Sequence, residues 1–172
     1  MIPTIEWKSG KVYMIDQRRL PFEEVFIEHS DYPEVAESIK NMVIRGAPAI
    51  GVAAAMGVAL GINKLEDDEK NPEKIFNEII RVLGATRPTA VNLFWALEEM
   101  EKVFTANRKD IRILKEKIQK RALEIKTDDE KINRSIGENG EKVINEGDTI
   151  LTHCNAGSLA TAGYGTALGV IR

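Results

Sequence analysis

The beginning of the chain alternates hydrophobic and polar positions, which is typical of short β-strands. Thr4–Lys8 and Lys11–Asp16 flank Ser9-Gly10, a favourable hairpin turn. Glu23–Glu28 places Val25 and Ile27 on one face and predicts a third strand. Three short antiparallel strands form a sheet too small to be stable alone, so helices must cover one of its faces.

Helical spacing of apolar residues dominates the middle of the chain. Ser30 or Asp31 is suited to cap a first helix, which we expect to end at Arg45-Gly46. Phe94 and Trp95, at helical spacing, are expected in the core. The further predicted helices are Ala47–Ile62, Pro72–Leu83, Pro88–Thr105, and either one helix or two within Lys109–Ile144, the two-helix alternative having its break near Gly137 or Gly140.

The last segment has a different pattern. Thr149–His153 is a short β-type run, Cys154–Gly157 is a turn, and the small residues from Ser158 onward predict a helix. The order strand, turn, helix is the first half of a βαβ unit, and its strand would need neighbouring parallel strands in the same sheet. We therefore expect an α+β N-terminal domain over 1–145, a small antiparallel sheet plus helices, followed over 146–172 by the truncated start of a Rossmann-like α/β domain.

Composition narrows the class of protein. The chain has 172 residues with 27 acidic and 24 basic side chains, and this near-balance argues against a nucleic-acid surface. Cys154 is the single cysteine, which fits a reducing cytoplasm. The longest uncharged apolar stretch, Ala47–Ile62, is shorter than the roughly 20 residues that span a membrane. We expect a cytoplasmic protein without a membrane partner, and the abundance of Lys and Glu favours a thermophilic source.

Three helix starts have the residues to bind an anion. In Arg45–Gly51, Gly46 permits close approach to the backbone, and the next amides, on Ala49, Ile50 and Gly51, are expected to be free donors at the positive end of the helix dipole. Arg87-Pro88 repeats an arginine before a helix, and an arginine fork suits phosphate. Cys154–Ser158 is a small-residue turn between strand and helix, where open α/β sheets bind ligands.

Each start also has a purely structural explanation. Arg45 could cap the carbonyls of the preceding helix, and Arg87-Pro88 could be an ordinary junction. Cys154 could be a small buried hydrophobe, although a strand end facing a helix start favours the thiolate. His153 is expected to be a structural histidine, and the glycines at 51, 57 and 61 indicate close helix packing. The occurrence of three such starts, two with arginine and one with a thiol, favours a binding site.

The three motifs together are specific. Arg-Gly-Ala-Pro-Ala-Ile-Gly at 45–51, Arg-Pro-Thr-Ala-Val-Asn-Leu at 87–93 and Thr-His-Cys-Asn-Ala-Gly at 152–157 closely resemble the methylthioribose-1-phosphate isomerase family. That family belongs to the superfamily of the α, β and δ subunits of translation initiation factor 2B. Asp16-Gln17-Arg18 and Leu20-Pro21 fit it as well, so the resemblance extends from about residue 5 to the last residue.

The resemblance implies a fold, an activity and a set of site residues. Its members have a three-stranded sheet with helices, then a Rossmann-like domain through which they dimerise. They convert 5-methylthioribose 1-phosphate to 5-methylthioribulose 1-phosphate in methionine salvage, without a metal or organic cofactor. Their substrate-binding residues match Arg45, Gly46, Ala47 and Arg87, and their active-site cysteine matches Cys154.

The family's general acid is an aspartate in the second half of its chain, and it has no counterpart here. We therefore expect a fragment that is inactive alone, with a sugar phosphate as the ligand and a homodimer formed through the Rossmann-like domain. Two alternatives stay open, a related isomerase acting on ribose 1,5-bisphosphate and a non-catalytic regulatory subunit of initiation-factor type. The apolar surroundings of Phe94 and Trp95 would suit a methylthio group, if these aromatic residues are not simply core.

Overall fold

The computed structural model describes residues 2–172 as a small antiparallel sheet packed on a layer of helices. Its strands are β1 (Ile5–Lys8), β2 (Lys11–Ile15) and β3 (Phe26–His29), in the order β1-β2-β3. The predicted three-stranded sheet is confirmed, with a third strand that begins later than Glu23. Val12 and Met14 on the central strand are fully buried, because this face of the sheet packs against the helices.

Six α-helices follow the sheet. Two short 3₁₀ turns, Glu141–Val143 and Ser158–Ala160, lie between the last two of them. The helices are α1 (Tyr32–Lys40), α2 (Ala47–Asn63), α3 (Pro72–Gly84), α4 (Val91–Asn107), α5 (Ile111–Gly140) and α6 (Ala167–Ile171). The helix α5 is one continuous element up to Gly140, which is one of the two positions predicted for a break. The expected α+β fold is confirmed. Among these described helices, none combines the length and apolar character needed to cross a membrane.

The second helix is the centre of the fold. Every residue of α2 from Ala49 to Ile62 is buried, because α1, α3, α4 and α5 all pack around it. Its glycines make this possible. A Cβ at Gly51 would lie 2.9 Å from the Asn92 carbonyl oxygen, and one at Gly61 would lie 2.6 Å from the Ile79 side chain. The prediction of close helix packing at these glycines is confirmed.

The first helix ends earlier than the sequence predicts. Asp31 and Glu34 form a capping box at its start, but α1 stops at Lys40 instead of Arg45-Gly46. Met42 takes a φ of +58°, which is outside the right-handed helical region. The Val43 amide then donates to the Ser38 carbonyl at 2.9 Å. Arg45 therefore lies on a loop, and within residues 2–172 its side chain makes no hydrogen bond to the α1 carbonyls.

The predicted strand Thr149–His153 is absent. No neighbouring strand among the described residues offers ladder hydrogen bonds to this segment, and a parallel strand is not stable without them. The helix expected from Ser158 is likewise a single 3₁₀ turn, with α6 following only at Ala167. The assignment of 146–172 to a Rossmann-like domain stays a prediction.

The final segment packs along the end of α5. A Cβ at Gly137 would lie 2.8 Å from both the Gly169 oxygen and the Tyr164 ring, and Gly140 faces Val170. The helix continues through Gly137 and ends at Gly140, which is one of the two positions predicted for a break, and both glycines allow this close contact. Arg134 adds a cation–π contact, with its guanidinium carbon 5.1 Å from the Tyr164 ring centre.

Candidate functional site

The start of α2 contains the first predicted anion-binding segment. Arg45 is exposed, Gly46 occupies the N-cap position, and Ala47 is the exposed first residue of the helix. Because glycine has no side chain, Gly46 makes no capping hydrogen bond to α2. Within residues 2–172 the Arg45 guanidinium has no carboxylate partner. The Ile50 amide donates to the Gly46 carbonyl at 3.0 Å, so the prediction that this amide is free was wrong.

The segment that follows Cys154 lies directly on this helix start. Gly46 has a φ of +94°, and a Cβ there would lie 2.4 Å from the Ala160 Cα and carbonyl oxygen. Only glycine fits, because a side chain would collide with backbone atoms and the φ is one that L residues rarely adopt. This contact brings the first motif against the segment that directly follows the third motif, more than a hundred residues away in the sequence.

Three polar side chains anchor the same segment. Thr4 Oγ1 donates to the Ser158 carbonyl at 2.7 Å, and Gln17 Nε2 donates to the Leu159 carbonyl at 2.7 Å. Asp129 Oδ2 accepts from the Ala162 amide at 2.7 Å. The segment is thus attached to the beginning of the chain, the loop after β2 and the helix α5. These anchoring roles were not predicted from the sequence, although Gln17 lies within the Asp16-Gln17-Arg18 motif.

Asp129 is held in an unusual environment. Its Oδ1 accepts from Asn133 Nδ2 at 3.0 Å, and burial raises the pKa of the Asp129 carboxyl above its ordinary value. Asn133 is 2% exposed. Its Oδ1 is buried and has no hydrogen-bond partner in the part of the chain that the structure describes. A buried acceptor without a donor is destabilising, so a group that donates to it would stabilise this site.

The start of α4 lies beside the start of α2. A Cβ at Gly51 would be 2.9 Å from the Asn92 carbonyl oxygen, so the two helices meet near their first turns. Arg87 precedes α4 and is half-buried, and its carbonyl accepts from the Ala90 amide at 2.9 Å. Helix α4 therefore begins at Val91 instead of Pro88, because residues 88–90 form a turn. No ion-pair partner of the Arg87 side chain lies within residues 2–172.

Cys154 lies apart from these contacts. It is exposed, with a φ of +69°, on the loop before Gly157. The alternative that it is a small buried hydrophobe is therefore wrong. The expected strand end and helix entrance are also absent around it, so the argument from a helix dipole has no support here. The described contacts bring the α2 start, the α4 start and residues 157–162 together, but none of them joins the Cys154 thiol to either arginine.

The two histidines differ in environment. His29 is buried, where its Nε2 lies 2.6 Å from Ser38 Oγ and its Nδ1 lies 3.2 Å from the Val12 carbonyl oxygen. Burial lowers the pKa of His29. His153 is exposed, so the expectation of a satisfied structural histidine is wrong for His153 and describes His29 instead.

A cleft opens between α2, α4 and α5, and we call it the α2–α4–α5 cleft. Its volume is about 420 Å³, and its lining includes Pro48 and Val52 of α2, Val91 and Trp95 of α4, and Asn133 of α5. Phe94 is 40% and Trp95 is 45% exposed, so the expectation that these aromatic residues belong to the core was wrong.

Comparison with known proteins identifies relatives across nearly the whole chain. It is 56% identical to the methylthioribose-1-phosphate isomerase of Geotalea uraniireducens over 171 residues, covering 98% of this chain and 49% of the relative. It is also 56% identical to the enzyme of that name from Geobacter sulfurreducens over 173 residues, with the same coverage. The chain thus spans about half the length of the curated relatives it matches.

Solved structures of two kinds share the fold. The 5-methylthioribose 1-phosphate isomerase from Pyrococcus horikoshii OT3 matches with a TM-score of 0.92 at 43% identity, over 99% of this chain and 48% of that one. Subunit delta of the translation initiation factor eIF-2B from A. fulgidus matches with a TM-score of 0.88 at 36% identity, over 99% and 50%. The family model described as the initiation factor 2 subunit family matches residues 43–172. The resemblance seen in the three motifs is therefore confirmed, and the chain belongs to the initiation factor 2 subunit family.

Proposed function

We propose that the protein containing this chain is an aldose–ketose isomerase that converts 5-methylthioribose 1-phosphate to 5-methylthioribulose 1-phosphate in methionine salvage, and that the chain is its N-terminal part. The observation that carries the proposal is the 56% identity to proteins named methylthioribose-1-phosphate isomerase, over 98% of the chain. The identity to the initiation factor subunit is lower, at 36%.

The chemistry defines what the residues must do. Phosphate on the anomeric oxygen prevents the sugar from opening freely to an aldehyde, so ring opening requires protonation of the ring oxygen while the phosphate stays attached. A hydrogen then moves from C2 to C1, and C2 becomes the ketone carbon. The product is an isomer of the substrate, so no external oxidant or reductant enters the balance. Holding the phosphate orients the sugar and supplies binding energy remote from the reacting carbons.

We assign the binding of substrate to Arg45, Gly46, Ala47 and Arg87. Support comes from two arginines without ion-pair partners in residues 2–172, located before helices whose first turns meet. Gly46 and Ala47 form the start of α2, where backbone amides attract an anion.

Cys154 is the proposed catalytic residue. It would act beside C1 and C2, as a base or by stabilising the transition state. Its support is the motif at 152–157 and its position shortly before the segment that packs on Gly46. No residue of this chain is assigned the role of general acid.

Further parts of the proposal concern the whole protein. We propose a cytoplasmic homodimer that forms through a Rossmann-like domain beginning near residue 146, from a thermophilic source, with no metal or organic cofactor. The near-balance of 27 acidic and 24 basic residues and the single cysteine support a cytoplasmic protein that binds a small sugar phosphate and no nucleic acid or membrane.

Kinetics of variants of the complete protein test the residue roles. Cys154→Ser should reduce kcat far more than it raises KM, because the thiol acts on the reacting carbons. Arg87→Ala should mainly raise KM. The matched control is Arg81→Ala, which should leave KM unchanged because Arg81 pairs with Glu78 on α3. Wild-type turnover by Cys154→Ser would refute the role of the cysteine, and an unchanged KM in Arg87→Ala would make Arg87 structural.

A second candidate is a non-catalytic subunit of initiation-factor type, which the TM-score of 0.88 to the A. fulgidus subunit favours. Such a protein would bind a sugar phosphate or nucleotide without turnover. Titration with 5-methylthioribose 1-phosphate, followed by product analysis of the same sample, separates the two candidates. Binding without ketose formation would support the subunit.

A further inference from the structure

The α2–α4–α5 cleft has the size and the walls of a small-molecule site. Its volume of about 420 Å³ lies in the usual range of roughly 300–1,000 Å³ for ligand pockets. Four large apolar side chains that line it remain partly exposed: Val91 at 78%, Trp95 at 45%, Ile132 at 59% and Ile136 at 42%. Clustered exposed apolar side chains around a concave surface indicate a binding surface, unlike single scattered ones.

The cleft also has a polar group that lacks a partner. Asn133 lines the cleft, and its Nδ2 donates hydrogen bonds to the Asp129 carbonyl at 2.8 Å and to the Asp129 carboxylate at 3.0 Å. This orientation leaves Oδ1 as a buried acceptor without a donor in residues 2–172. A ligand hydroxyl that donates to Oδ1 would satisfy it. The cleft therefore combines apolar walls with polar groups, which are Asn92, Asp128, Asp129, Thr166 and the unpartnered Asn133 acceptor. This combination fits a ligand that has an apolar end and a hydroxyl group.

The position of the cleft relates it to the proposed phosphate site. Arg45, Gly46 and Ala47 lead directly into Pro48, and the loop after Arg87 leads directly into Val91. Both arginine-bearing segments thus enter helices whose first turns line the cleft. A molecule with a phosphate at one end and an apolar group at the other matches this arrangement of cationic loops beside an apolar wall.

We propose that the α2–α4–α5 cleft binds the 5-methylthio end of the substrate, and that Trp95, Ile132 and Ile136 determine specificity for it. This inference rests on the proposed isomerase function. Removal of the methylthio group from water is favourable against the apolar side chains of Trp95, Ile132 and Ile136, whereas a 5-hydroxyl placed against these three side chains would lose its hydrogen bonds to water. The cleft accordingly selects against ribose 1-phosphate, which has a hydroxyl group in place of the methylthio group.

The test compares kcat/KM for 5-methylthioribose 1-phosphate and for ribose 1-phosphate in the complete protein. Ile136→Ser makes the wall polar and should lower the ratio of the two values about tenfold, as expected for loss of a small apolar contact. Ile113→Ser is the matched control. It lies on the same helix with a similar exposure, 45% against 42%, but does not line the cleft.

Each outcome decides the matter. A lowered ratio in Ile136→Ser with a wild-type ratio in Ile113→Ser supports the inference, and Ile132→Ser, at the more exposed position, provides the same comparison if Ile136→Ser does not fold. An unchanged ratio in the cleft variants, or an equal decrease in Ile113→Ser, overturns it while the isomerase function stands. Absence of turnover by the wild-type protein contradicts the proposed function itself, and with it this inference.

Discussion

Replacing Gly46 by alanine should destabilise the protein more than the same replacement at Gly147. Both glycines have a similar backbone conformation, with φ of +94° and +90°. At Gly147 nothing lies within 4 Å of an added Cβ. At Gly46 the added Cβ would lie 2.4 Å from the Ala160 Cα and carbonyl oxygen. Comparison of the two variants therefore separates the effect of backbone strain on stability from the effect of a collision with residues 157–162.

The size of the effect follows from these contacts. Backbone strain of an L residue in such a conformation amounts to about 1–3 kcal/mol at either position. Relief of the collision at Gly46 requires Ala160 to move away, since carbon atoms in contact are separated by about 3.5–4.0 Å. That movement would weaken the bonds from Thr4 to Ser158 and from Gln17 to Leu159, each contributing about 0.5–1.5 kcal/mol. Gly46→Ala should thus lose about 2 kcal/mol more than Gly147→Ala.

Urea denaturation of the two variants and the wild type, under the same conditions, measures this difference in the free energy of unfolding. Hydrogen exchange locates it, because the amides of residues 157–162 should exchange faster in Gly46→Ala and at the wild-type rate in Gly147→Ala. Equal losses of stability, with unchanged exchange at 157–162, would refute the close contact between the α2 start and Ala160.

Two further predictions concern pH. The hydrogen bonds from Arg18 hold the pKa of the Asp16 carboxyl below its ordinary value, so the stabilisation is present above about pH 4 and is lost as the pH falls. Asp16→Asn should therefore lower the free energy of unfolding by about 1–2 kcal/mol at pH 7 and by less at pH 3, and an equal loss at both pH values would contradict the ion pair. Burial lowers the pKa of His29, so the folded state resists its protonation and stability should fall as the pH drops below about 6.5. In His29→Gln the Tm should change less between pH 8 and pH 5.5 than in the wild type, and an identical change would show that His29 does not titrate with unfolding.

The sequence predicts the central helix well because several local signals agree there. Pro48 suits a first helical turn, and the residues after it are apolar or small on every side, which is typical of a helix surrounded by others. The capping box of Asp31 and Glu34 likewise marks the start of α1 correctly. Local signals of this kind are contained within a few neighbouring residues, so no knowledge of the fold is required.

The errors arise where distant contacts decide. Helix α1 ends before the predicted residue because Met42 takes a left-handed conformation, which its side chain does not signal. The residues 149–153 have a β-type pattern, but no strand forms without neighbours in the described residues. A break was predicted near Gly137 or Gly140, and α5 ends at Gly140, but the contact of the final segment with both glycines was not foreseen.

The candidate site divides in the same way. Arg45, Gly46 and Arg87 were identifiable because arginine and glycine at a helix start have a recognisable chemistry. Thr4 and Asp129 were not, because their partners Ser158 and Ala162 lie 154 and 33 residues away along the chain. Ordinary threonine and aspartate side chains indicate no partner at such distances, so only the folded arrangement shows their role.

The isomerisation reaction itself is the decisive test of the proposed function. The purified product of the complete coding region should be incubated with 5-methylthioribose 1-phosphate labelled with ¹³C at C2 and followed by NMR. The C2 signal should move to that of a ketone carbon, at a rate at least about 100-fold lower in Cys154→Ser. A bound substrate whose C2 signal never becomes that of a ketone, in wild-type protein, would contradict the proposed function.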